Sequence, residues 1–191
     1  MNGLRARPGP LRTAPAARAV RRVDPVVVAV CAAALAGGIH LAVAYPHFRE
    51  HWTLGTFFLV LGLAQLGLVP LLRRPCPAYV LLGVVAAHVG VLVLYVASRT
   101  VDLPFVPPHD VGHEFEHLPV AGGVGNGIPV YPGSRIEEVG VLDLVCLGAE
   151  LALVAACVSL LPARLRAPVS TACVALALAG VALRGLVLTG W

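Results

Sequence analysis

The chain contains no lysine. All fourteen of its basic residues are arginine, set against ten Asp and Glu in 191 residues. Charged residues are 13% of the total, about half the share found in soluble globular domains. Aromatic residues are also sparse, at 6%. With 58% hydrophobic residues and a mean hydropathy of +0.85, a water-soluble fold is excluded. A single membrane domain is expected, with no length left over for a large soluble one.

No C-x-x-C pair occurs. Of the five cysteines, Cys31, Cys146, Cys157 and Cys173 fall in predicted helices and Cys76 in a short turn. None is placed where a disulfide would form and persist, so they read as small apolar residues in helix packing. No internal repeat of the transporter type is found. The net charge of +4 comes from arginines gathered in particular segments rather than on one basic face, and nucleic acid is not expected as a partner.

What is present is a series of apolar runs of about 20 residues, the length that crosses a bilayer as a helix. They cover residues 26–45, 53–72, 79–97, 139–161 and 168–188. The expected fold class is therefore all-α: a polytopic bundle of five transmembrane helices over 25–191, preceded by a disordered basic tail at 1–24. The long segment 98–138 is an outer loop. The first run is longer than the apolar region of a secretory signal, so it reads as a retained span. The competing expectation is cleavage after Ala42-Val43-Ala44, which would remove residues 1–44.

The arginines orient the bundle. Arg5, Arg7, Arg12, Arg18, Arg21, Arg22, Arg73, Arg74, Arg164 and Arg166 all fall in segments on one side, with Asp24 the sole acid there. That pattern places the N-terminus inside and the C-terminus outside, in the cytoplasmic membrane. A reporter fused at residue 110 is expected to report the outer side, and a cytoplasmic signal there would overturn the topology.

Ionisable residues within a span are costly and mark functional sites by default. Gln65, His88 and Glu150 fall near the middle of spans two, three and four, at levels where they could hydrogen-bond. His40, Asp143 and Arg184 lie nearer the outer end. Asp143, Cys146 and Glu150 follow i, i+3, i+7 and share a helix face. His47, Glu50, His51, Arg99 and Asp102 rim the same end. Two readings stay open for these groups: an interhelical polar clamp, or a cluster that carries a proton or ligand.

The loop contains His113-Glu114-Phe115-Glu116-His117, with His109 one turn earlier. Three imidazoles and Glu114 offer ligands for zinc, copper or nickel. A zinc protease is not expected, because Gly112 and Pro119 leave room for about two helical turns and no downstream ligand motif follows. Haem with His40 and His88 as axial ligands is a further option, set back by a depth mismatch of about 5 Å, one helical turn.

The residues His40, Pro46-His47-Phe48, Glu50-His51-Trp52, Phe57-Phe58, Gly62 and Gln65 form a pattern. It continues with Ser98-Arg99-Thr100-Val101, Leu103-Pro104-Phe105 and Val139-Gly140 leading to Asp143 and Glu150. In these positions the chain resembles a family of small multi-pass membrane proteins of high-GC bacteria. The resemblance implies a shared fold and an outer-facing polar cluster, with no activity to carry over. Three functional expectations follow. The first is a structural or accessory membrane component. The second is a binding or transport module for a metal ion, proton or small polar ligand. The third is a metal- or haem-dependent membrane enzyme using His40, Glu50, His51 and Asp143. Besides the bilayer, a second copy or another membrane protein is the expected partner, since five spans are few for a complete transporter.

Overall fold

The computed structural model describes residues 23–98 and 140–188. Within them the chain forms five helices: α1 (Pro25–Glu50), α2 (Trp52–Leu72), α3 (Ala78–Ser98), α4 (Val141–Leu160) and α5 (Ala163–Leu188). All five are long and apolar enough to cross a membrane, with mean hydropathies from 1.6 in α5 to 2.5 in α3. In lipid the backbone must satisfy its own polar groups, and a helix does so within one segment. The tail at 1–22 and the loop at 99–139 lie outside the described residues, and with them Arg99, Asp102, His109, His113, Glu114 and His117.

Local chemistry explains the ends. Asp24 caps α1 by accepting from the Val26 N–H at 2.9 Å, ahead of Pro25, whose missing N–H costs nothing in the first turn. The turn expected at 46–52 is instead helix as far as Glu50, so Pro46 does not end α1. The extra turn is held by α2. A Cβ at Gly55 would fall within the Phe48 ring, and His47 packs on Phe58 with ring centroids 4.2 Å apart. One extended residue, His51, then joins α1 to α2. At the other end of the bundle, α5 begins at Ala163 rather than 168, taking Arg164 and Arg166 into its first turns. The Arg166 guanidinium donates to the Leu161 carbonyl at 3.0 Å, satisfying an acceptor left open where α4 stops before Pro162.

Helix α1 packs between α2 and α4, α3 lies against α4, and α5 rests lightly on α4. One stripe of α1, Ala29, Ala32, Ala33 and Ala36, follows i, i+3, i+4, i+7 and is buried throughout. The first three of these join the main apolar cluster with Leu153, Val154 and Cys157 of α4 and Leu81, Val84 and Val85 of α3. Small side chains allow this approach, which in lipid rests on dispersion rather than on expulsion of water. The small pair Ala33/Gly37 is on the packed side, whereas Ala34/Gly38 and Ala175/Ala179 are exposed.

The α1–α2 contact is closest at Gly37 and Gly62. A Cβ on Gly37 would stand 3.0 Å from the Gly62 carbonyl oxygen, and one on Gly62 would stand 3.0 Å from the Gly37 carbonyl oxygen. This crossing fixes where the polar residues of the two helices can meet.

Candidate functional site

His40 follows Gly37 by three residues on α1, and Gln65 follows Gly62 by three on α2. Side chains on a helix lean toward its N-terminus, so each leans back toward the glycine crossing. They meet there: His40 Nδ1 lies 2.7 Å from Gln65 Oε1. An amide oxygen only accepts, so His40 carries its proton on Nδ1 and turns a bare Nε2 the other way. Cys146 of α4 occupies that side, with its sulfur 3.4 Å from His40 Nε2. The thiol is the donor of that contact.

The other end of the Gln65 amide is a donor, and its Nε2 donates to Glu150 Oε1 on α4. One amide thus links α1, through His40, to α4, through Glu150. Glu150 Oε2 faces His88 Nε2 of α3 at 3.7 Å, beyond hydrogen-bond reach. His88 Nδ1 lies 2.7 Å from the Val84 carbonyl oxygen one turn back, so that nitrogen carries a proton and Nε2 is the atom turned to Glu150. Neither His88 Nε2 nor Glu150 Oε2 has a hydrogen-bond partner among the described residues.

The cluster is dry. Exposure is 6% at His40, 1% at Gln65, 4% at His88 and 2% at Glu150. His88 and Glu150 sit about 15 Å from either end of their helices, the middle of a membrane span. Phe58 covers the His40 ring, with centroids 5.8 Å apart and planes inclined by 28°. His40, Cys146 and Glu150 each offer one ligand-type atom, and those three atoms all lie within 4.8 Å of one another.

No family model, curated protein or solved structure matches the chain. The site is therefore read from its own geometry.

Of the residues singled out from sequence, the structure brings His40, Gln65, His88 and Glu150 together. His40 joins the other three rather than sitting a turn away from them. The Gln65 amide and the Glu150 carboxylate stand between the two imidazoles, where axial ligation by His40 and His88 would put a porphyrin. Asp143 caps its own helix: its Oδ2 accepts from the Gly140 N–H at 2.9 Å in the first turn of α4. His51 caps α2, its Nδ1 2.6 Å from Thr53 Oγ1 and 3.4 Å from the Thr53 backbone nitrogen. Glu50 is the last residue of α1. Arg99, Asp102 and the loop ligands His109, His113, Glu114 and His117 lie outside the described residues. Cys146 was placed on one helix face with Asp143 and Glu150 but counted as a packing cysteine and not named among the candidate ligands. Its signal was the i, i+4 spacing to Glu150, which puts a thiol one turn from a buried carboxylate on the same face.

Proposed function

We propose that the protein is a binding module for a metal cation held inside the membrane between α1, α2, α3 and α4. The observation that carries this reading is the group of His40, Cys146 and Glu150, whose ligand-type atoms all lie within 4.8 Å of one another. A clamp evolved only to hold helices together would close its hydrogen bonds, because an unpaired buried polar group costs about 1–3 kcal/mol. Here Glu150 Oε2 and His88 Nε2, both deeply buried, stand 3.7 Å apart, and neither has a hydrogen-bond partner among the described residues. A cation bound at Glu150 would engage the carboxylate that these hydrogen bonds leave open. Support for a cytoplasmic-membrane location with the N-terminus inside comes from the arginine distribution. On that topology His40 and Cys146 lie on the outer side of the cluster's centre.

The purified protein in detergent is expected to melt several degrees higher in the presence of at least one metal cation, because a ligand that binds the folded state alone stabilises it in proportion to RT ln(1 + [L]/Kd). The panel runs from Na+ and K+ through Mg2+, Ca2+ and Mn2+ to Zn2+ and Co2+. If none of them moves the Tm, the cluster is a clamp and the binding reading fails.

A further inference from the structure

The geometry points to a zinc-class divalent ion bound by His40 Nε2, Cys146 Sγ and a Glu150 carboxylate oxygen, with Gln65 as the positioning residue. This rests on the cation-binding reading and deepens it by naming the ion class and the ligands.

Three features select that ion. The first is the donor set. One thiol sulfur, one imidazole nitrogen and one carboxylate oxygen form the mixed set that zinc accepts, whereas magnesium and calcium take oxygen. The second is spacing. Zn–S of about 2.3 Å and Zn–N of about 2.0 Å in a tetrahedron put the sulfur and nitrogen about 3.5 Å apart. Cys146 Sγ and His40 Nε2 stand 3.4 Å apart. The third is charge. In hydrocarbon a net charge is costly. A thiolate, a carboxylate and a neutral imidazole cancel a divalent ion to zero, and would leave a monovalent ion with a net negative site.

The surrounding groups fit the same assignment. His40 Nδ1–H donates to Gln65 Oε1, which leaves the Nε2 lone pair directed at the site. Gln65 Nε2 donates to Glu150 Oε1 and holds the carboxylate. A single amide thus orients two of the three ligands, the role that outer-shell hydrogen bonds play around protein metal ions. His88 Nε2 faces the carboxylate oxygen that the amide does not touch. Binding transfers the sulfur electron pair to the ion, and the Cys146 thiol proton leaves to solvent. Three protein ligands leave the fourth tetrahedral position open, as in zinc sites that exchange a small molecule.

The test uses the full chain in detergent, loaded with Co2+ as a spectroscopic probe for zinc. The expected result is one cobalt per chain with an ultraviolet thiolate-to-cobalt charge-transfer band, displaced by Zn2+. Cys146→Ser loses the band and weakens Zn2+ affinity by more than the roughly 10–100-fold typical of outer-shell changes. A variant with Cys31, Cys76, Cys157 and Cys173 all changed to Ala keeps it, as does one with His109, His113 and His117 changed to Ala. Gln65→Leu weakens affinity by about 10–100-fold yet keeps the band at saturation. No band in folded wild-type protein overturns the assignment, and so does a band that survives Cys146→Ser. Should Cys146→Ser fail to fold, sulfur in the first coordination sphere of the wild-type cobalt form is read by X-ray absorption, and its absence is equally fatal. If Mg2+, Ca2+ or Na+ raises the Tm and Zn2+ and Co2+ do not, cation binding stands and this ion and ligand set fall.

Discussion

Replacing Glu150 by Ala is expected to destabilise the bundle by about 3 kcal/mol, while Glu150→Gln costs less than about 1 kcal/mol. Reversible unfolding in mixed micelles measures both. A single interhelical hydrogen bond in a membrane protein averages only about 0.6 kcal/mol, so the bond to Gln65 does not reach 3 kcal/mol alone. Two further losses accompany it. The Gln65 amide keeps a buried N–H with nowhere to donate, at about 1–3 kcal/mol. The side chain removed is 2% exposed and sits among four helices, so the space it leaves adds a cavity term. Glutamine fills the same volume and still offers an oxygen to Gln65 Nε2. It cannot supply the carboxylate charge, so the same variant is expected to retain the fold and lose Zn2+ binding. Equal unfolding of wild type and Glu150→Ala would show that the cluster does not tie α4 to α2.

Gly62→Val is expected to cost about 2–3 kcal/mol, toward the upper part of the range for overpacked cores. Gly67→Val, five residues along the same helix, should change stability by less than about 0.5 kcal/mol. The contrast is geometric. A Cβ at Gly62 would lie 2.9 Å from both Cγ and Cδ2 of Leu41 and 3.0 Å from the Gly37 carbonyl oxygen, whereas nothing stands within 4 Å of one at Gly67. Leu41 can rotate away. A backbone oxygen cannot, so the two helices must move apart. That movement also lengthens the 2.7 Å contact between His40 and Gln65, and the valine variant is expected to bind Zn2+ more weakly as well. If both variants unfold alike, the backbones of α1 and α2 are not in contact at the crossing.

The helices were legible because lipid leaves so few choices. An apolar run of the right length must be a helix, whichever residues fill it. Their ends were less so. The first apolar run ends at residue 45, and only the packing of Phe48 on Gly55 and His47 on Phe58 shows why the helix continues to Glu50. The meeting of Gln65, His88 and Glu150 followed from their levels along each span. His40 was placed too far from them because helix rise locates a Cα and says nothing of where a side chain leans. In an antiparallel pair, His40 leans toward the start of α1 and Gln65 toward the start of α2, so atoms on different levels converge. Cys146 was legible in spacing and hidden in chemistry. A thiol in an apolar helix looks like any small residue until an imidazole nitrogen is found beside it.

Gln65 has unlike ends, and that has a consequence for traffic through the bundle. Its oxygen faces His40 and its nitrogen faces Glu150. A hydroxyl or a water molecule in the same place could take a proton at one side and release it at the other. A primary amide can do so only through its high-energy imidic acid form or by turning end over end, and turning would break both bonds at once. Along the line His40–Gln65–Glu150 this one side chain joins α1 to α4 mechanically and passes no proton through itself.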